Sequence, residues 1–228
     1  MKKIGLMGAM NDEILPLYHH MQNPRETVIG GVTFYEGILD GKEAVLCCAG
    51  MGKAQAAAAT QILCSQFGVQ AILFSGIAGN MTAQVQVGDI VIGQTIVYHD
   101  GEPKMFAQTA PFLEEFQADD MLVSCAKKAC EEIGISYLVG KIATGDCFIG
   151  DSQTKQKIAD AYAPHCVEME GAAVAHIAAK NNVPFVILRA MSDNADEEGF
   201  EKLVGKPFDI SEYCTTAAKI SRALISAL

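Results

Sequence analysis

Tryptophan is absent from the 228 residues, and arginine occurs only as Arg25, Arg189 and Arg222. Gripping a nucleic-acid duplex takes a basic face that neutralises phosphates, and a chain with a formal charge of -10 has little material for one. Nucleic acid is therefore not expected as a partner; the surplus of acid favours solubility instead. Also missing is any apolar run near the ~20 residues that cross a bilayer, so no membrane contact is expected. The opening MKKIGLMGAMNDE turns acidic where a secretory leader would keep an apolar stretch and a cleavage site. No C-x-x-C pair occurs and the five histidines lack zinc-ligand spacing, which leaves no metal to assign. The eight cysteines sit in apolar runs, as small buried hydrophobes do in a reducing compartment. Together these features point to a cytoplasmic protein.

What the chain does have is apolar: half of its residues are hydrophobic, enough for one sizeable core. KKIGLMGAM reads as a buried strand and NDEILPLYHHM as a helix. TFYEGILDGKEAVLCC reads as two strands joined at Asp40-Gly41, residues that tolerate the positive φ of a type I′ turn. GKAQAAAATQILCSQF follows as a helix, then AILFSG and GDIVIGQTIVYHD as strands. Beyond them the helical stretches ADDMLVSCAKKACEEIG, SQTKQKIADAY, GAAVAHIAAKNN and DISEYCTTAAKISRALISAL alternate with the strands YLVGKIATGD, HCVEME and PFVILRAMSD. This alternation, with one early hairpin and no dividing linker, predicts a single α/β domain over residues 1–228 with a mixed sheet around a mostly parallel centre.

In such sheets ligands sit beyond the carboxyl ends of the strands. Those ends here read GAMNDE, CAGMGK, SGIAGN, TGDCFIG, VEMEG and RAMSDNAD, each mixing glycine or small residues with polar groups. Glycine lets the backbone approach a ligand and carboxylates accept hydrogen bonds. In CVEMEGAAVAHIA, Glu168 and Glu170 stand one residue apart before an alanine-rich helix. An isolated pair of this kind ordinarily decorates a surface strand. Beside a helix so poor in large polar side chains it borders low-dielectric protein and needs donors, which a ligand's hydroxyls would supply.

With GAMNDE, CFIGDS, VEMEGAAVAH and LRAMSDNAD in this order along the whole chain, the sequence resembles the 5′-methylthioadenosine/S-adenosylhomocysteine nucleosidases of the purine nucleoside phosphorylase-like superfamily. The resemblance implies a three-layer α/β/α fold with a central mixed β-sheet. It also implies hydrolysis of the N-glycosidic bond of 5′-substituted adenosines to adenine and the 5′-substituted ribose, in nucleoside salvage and the methionine cycle, without a cofactor. Methylthioadenosine, S-adenosylhomocysteine and 5′-deoxyadenosine are the substrates considered. Such cleavage passes through an oxocarbenium-like sugar and needs negative charge, a positioned water and a proton for the departing base. By resemblance Glu13 activates the water, Arg189 helps to place it and Asp193 donates a proton to purine N7. Glu170 binds the ribose hydroxyls, Met169 packs on the sugar and Glu168 lies beside them. Phe148 stacks on the base and the Ile149 backbone reads its edge. Met10, Met51, Pro103, Phe106 and Phe208 match an apolar surround for the ribose and its 5′ substituent. The segment matching Phe106 reaches a neighbouring subunit in the family, which implies a homodimer.

Two positions depart from the family pattern. Pro103 replaces a small aliphatic residue, and Ile77 stands in SGIAGN where the family commonly has a serine near the water and ribose. Isoleucine cannot hold a water by hydrogen bonding. Other readings remain. A phosphorolytic relative would want cationic donors for phosphate, and only Arg189 lies near the predicted site; a non-catalytic nucleoside-binding protein would not need both Glu13 and Asp193. A dinucleotide-binding domain is disfavoured because GLMGAM is not G-x-G-x-x-G.

Overall fold

The computed structural model describes residues 3–203 and 209–228. The first half of the chain forms β1 (Lys3–Gly8), α1 (Asn11–Tyr18), β2 (Gln22–Ile29), β3 (Val32–Leu39), β4 (Lys42–Cys48), α2 (Lys53–Ser65) and β5 (Ala71–Asn80). The second half runs through β6 (Ile90–Tyr98), α3 (Pro103–Phe106), β7 (Phe116–Gln117), α4 (Asp120–Ile133), β8 (Tyr137–Thr144) and α5 (Ser152–Tyr162). It closes with β9 (Cys166–Glu168), α6 (Gly171–Lys180), β10 (Phe185–Asp193), α7 (Glu197–Leu203) and α8 (Ser211–Ser226). The β3–β4 hairpin turns at Asp40 and Gly41, with φ of 48° and 81° as a type I′ turn requires.

The strands make one mixed sheet in the order β10-β6-β8-β9-β5-β1-β4-β3-β2, with β7 on β6. Parallel pairs β1–β4, β1–β5 and β5–β10 form its centre, and their apolar runs are buried on both faces as parallel strands require. Ile72, Leu73, Phe74, Val186, Ile187 and Leu188 have no solvent exposure, each contributing roughly 1.5–3 kcal/mol by burial. Helix α2 packs with α6, while α1 and α4 both pack on α8. Among the described residues no helix is long and apolar enough to cross a membrane.

Strand β10 pairs with β5 on one side and β6 on the other, and β9 pairs with both β8 and β5. The circuit β5-β10-β6-β8-β9 therefore closes on itself. That closure, not legible from alternation, brings the carboxyl ends of β8 and β9 beside the end of β5.

Besides the short elements α3, β7 and α7, which the sequence reading lacks, the main differences from that reading are these. QNPRETVI forms β2, an almost wholly exposed edge strand whose polarity reads as loop. Helix α1 stops at Tyr18 rather than Met21, because the His20 and Met21 amides bond the Leu17 and Tyr18 carbonyls in a tighter turn. Strand β5 continues past Gly76 to Asn80 on its pairing with β10 and β9. Strand β9 ends at Glu168, whose carboxylate turns back to take the Gly171 N–H at 2.7 Å and starts α6.

Candidate active site

The ends of β1, β5, β9 and β10 surround a cleft of about 450 Å3. Met10, Glu13, Ile77, Met169, Glu170 and Asp193 line it, as do Met51, Phe148, Glu168 and Arg189. Met51 is 66% exposed and Phe148 38% exposed at its mouth, while Glu13, Glu170, Arg189 and Asp193 are buried at its base. The Phe148 ring stands 5.9 Å from that of Phe200, which α7 carries over the loop.

Glu13 lies in the first turn of α1, and its side chain folds back on the strand ends. Oε2 accepts the Ala9 and Met10 N–H groups at 2.6 and 3.0 Å, and Oε1 accepts the Ile77 N–H at 3.1 Å. The ordinary reading of an acid at a helix start is thus part of the truth, since Glu13 does bond its own N-cap amide. Burial nevertheless pushes its carboxyl above the usual range, against the pull of Arg189 and of the Met10, Ile77 and Ala9 amides. Gly76 makes room for this pair: a Cβ there would overlap Arg189 Nη1 and lie 2.5 Å from Glu13 Oε1.

Arg189 stands within β10 with its guanidinium carbon 4.3 Å from the centre of the Phe74 ring. Its Nη2 donates to Glu168 Oε2 and, at 3.2 Å, to Glu170 Oε2. Burial would weaken the cation, but Glu168, Glu170 and Glu13 together hold it charged. Glu170 Oε1 accepts the Gly52 N–H at 2.8 Å, at the start of α2. Burial raises the Glu170 carboxyl, Arg189 opposes the rise and Glu168 adds to it. Two carboxylates one residue apart thus have different surroundings. Both Glu168 oxygens are engaged by protein: Oε1 by the Thr144 hydroxyl, Oε2 by Arg189 and the Glu170 and Gly171 amides. The sequence reading gave the pair one task, the sugar; in the structure Glu168 faces Arg189 and the helix start.

Asp193 ends β10. Its Oδ1 accepts the Ala195 N–H at 2.7 Å and its Oδ2 the Ser192 hydroxyl at 2.8 Å. Burial is the largest influence and raises this carboxyl despite both donors. Gly79 and Gly199 flank it, and a Cβ on either would come within 3.0 Å of Oδ1.

Two expected residues lie elsewhere. Pro103 and Phe106 belong to α3, where Phe106 packs on Tyr98 with ring centres 5.1 Å apart, outside this chain's own cleft. Phe208 lies outside the described residues. The Ile149 side chain is buried in a small apolar cluster with Val167 and Ala195, beside a narrow side cavity that it shares with Phe148 and Asp193. Sequence reasoning missed Ser192 and Thr144, although both stand in quoted motifs next to acids or glycine. Among the described residues no group of three or more His, Cys, Asp or Glu is arranged to hold a metal ion.

The chain matches a family model described as the phosphorylase superfamily over residues 3–227. A 5′-methylthioadenosine/S-adenosylhomocysteine nucleosidase of Shewanella sediminis is 36% identical over 99% of this chain and 98% of that protein. The aminodeoxyfutalosine nucleosidase of Helicobacter pylori is 32% identical over the full length of both. Among solved structures, the 5′-methylthioadenosine/S-adenosylhomocysteine nucleosidase of Neisseria meningitidis in complex with methylthio-immucillin-A superposes with a TM-score of 0.91 at 32% identity, covering all of both chains.

Proposed function

The chain belongs to the phosphorylase superfamily, and we propose that it hydrolyses the N-glycosidic bond of 5′-substituted adenosines, releasing adenine and the 5′-substituted ribose. Full-length similarity to nucleosidases named for methylthioadenosine and S-adenosylhomocysteine supports this reading. The observation that carries the mechanism is the grouping of four buried acids, Glu13, Glu168, Glu170 and Asp193, around one cleft in which Arg189 is the one buried cation among the described residues. A phosphate nucleophile would meet carboxylates there, whereas a water meets a base.

Phe148 stacks on adenine at the mouth, with the Ile149 backbone along the base edge. Glu170 accepts the ribose hydroxyls, and Met169 with Met10 and Met51 covers the sugar. As the glycosidic bond lengthens, the sugar gains positive charge, which Glu170 and Glu13 stabilise in a low-dielectric setting. Glu13 takes a proton from the water that Arg189 helps to orient, and its raised pKa brings it closer to the working pH of a base. Asp193, whose carboxyl burial raises above the usual range, gives its proton to N7 of the departing purine. Atoms balance: water supplies OH to the sugar carbon and H+ to Glu13, and adenine leaves with the proton of Asp193.

Two finer assignments belong to the same proposal. The active form is a homodimer in which Pro103 and Phe106 serve the partner's 5′ pocket; exposed Met105, Phe112 and Leu113 near α3 give an apolar face for that contact. The protein acts in the cytoplasm. Release of adenine from methylthioadenosine in phosphate-free buffer, lost in Glu13→Gln, tests the reaction. Dependence on added phosphate would select the phosphorolytic alternative.

A further inference from the structure

Thr144 is the last residue of β8, has no solvent exposure, and touches none of the cleft. Its hydroxyl accepts the Ala172 N–H at 2.8 Å and donates to Glu168 Oε1. Ala172 lies in the first turn of α6, so one hydroxyl ties the end of β8, the end of β9 and the start of α6 together. Strand register sets this up, because Thr144 pairs directly with Glu168 across β8 and β9.

Glu168 in turn has no spare oxygen. Oε1 takes Thr144, its donor among the described residues, and Oε2 takes Arg189 together with the Glu170 and Gly171 amides. Arg189 Nη2 then reaches Glu170 Oε2, and Nη1 faces Glu13 across Gly76. A buried guanidinium between three carboxylates has several near-equivalent placements; the one it takes depends on which carboxylate is fixed. We infer that Thr144 is a positioning residue, whose hydroxyl fixes Glu168 and through it the placement of Arg189 between Glu13 and Glu170. This inference rests on the hydrolytic reading above.

Threonine suits the role better than its neighbours in size. Its β-branch holds χ1 in a strand and its hydroxyl donates and accepts at once, whereas valine has the same shape and neither function. Removing the hydroxyl leaves Ala172 N–H and Glu168 Oε1 buried without partners, and Arg189 is drawn toward the uncompensated carboxylate. Groups that act on a developing cation lose most from small displacements, on the order of 10- to 100-fold in rate.

The test is a set of Thr144 variants with methylthioadenosine as substrate. Thr144→Val is expected to lower kcat by roughly 10-fold or more with KM changed less than about threefold, and Thr144→Ser to restore kcat to within about twofold of wild type. A structural role alone would not discriminate between ligands, so binding is measured too. Thr144→Val should lose affinity for an adenine nucleoside analogue whose sugar ring carries a protonated amine, while binding adenine itself as wild type does. Should Thr144→Val fail to fold, Thr144→Cys takes its place, with a thiol as the weak donor and an intermediate kcat expected. A folded Thr144→Val or Thr144→Cys enzyme with wild-type kcat, or equal loss of affinity for both ligands, would overturn the inference. A wild-type protein that releases no adenine would instead overturn the hydrolytic reading itself.

Discussion

The Ile77 amide donates to Glu13 Oε1 at 3.1 Å, so the proposed base is held by the backbone of the position whose side chain departs from the family pattern. The side chain itself is only partly buried and faces the cleft with Met10 and Met51. In the proposed mechanism, holding the base and walling the sugar are therefore separate duties of one residue.

Ile77→Ser separates them. Base placement should survive, and the lost apolar contact should weaken binding of methylthioadenosine by about 1 kcal/mol, or roughly fivefold in KM. Because Ile77 lies outside the main core, the melting temperature should stay near that of wild type. Steady-state kinetics with thermal unfolding decide; a higher kcat at unchanged KM would mean that the hydroxyl serves the water instead.

Gly76→Ala places a methyl group against both Arg189 Nη1 and Glu13 Oε1. Neither can retreat far, since Glu13 is held by three amides and Arg189 by two carboxylates. Overpacking should cost about 1–3 kcal/mol of stability, and kcat should fall by on the order of 10²-fold. Denaturant unfolding and turnover on the same preparation check both parts.

Asp193→Asn keeps the size of the side chain while removing the proton for N7. The expected loss in kcat is about 10²-fold or more. The wild-type pH profile should fall on its alkaline side as Asp193, raised by burial, finally ionises. In Asp193→Asn that limb should disappear, and near-normal turnover would show that the proton comes from elsewhere.

Glu170 carries a cost that pH exposes. Burial, relieved by Arg189 and reinforced by Glu168, pushes its carboxyl up to about 7 from 4.5. A carboxyl raised on folding stabilises the fold while protonated; that contribution is whole below about 4.5 and is lost as pH rises through about 7. Glu170→Gln has no such loss. It should be nearly inactive yet melt about 2–4 °C above wild type at pH 8, with the gap closing toward pH 5. A lower melting temperature for the variant at pH 8 would mean that the ion pair with Arg189 outweighs burial.

Much of this site could be read in the chain because its residues sit in the strand-end motifs that carry the family resemblance. Glu13, Glu170 and Asp193 stand in GAMNDE, VEMEG and RAMSDNAD, and the structure lines one cleft with all three. What stayed hidden depends on pairing between distant strands. Thr144 matters only because β8 lies in register with β9, and the duty of Glu168 follows from Arg189 arriving on β10. Thr144 and Ser192 both read simply as residues of a strand until their partners are known. The hidden edge strand β2 has a similar cause: its polar side chains face water, and only hydrogen bonds to β3 make it a strand.

The central claim is that water, activated at Glu13, attacks the sugar. The direct measurement is to run methylthioadenosine with the enzyme in 18O-labelled water containing phosphate, and to weigh the sugar product by mass spectrometry at early times. The account predicts methylthioribose carrying one 18O, free adenine and no sugar phosphate. Methylthioribose 1-phosphate without label would contradict it.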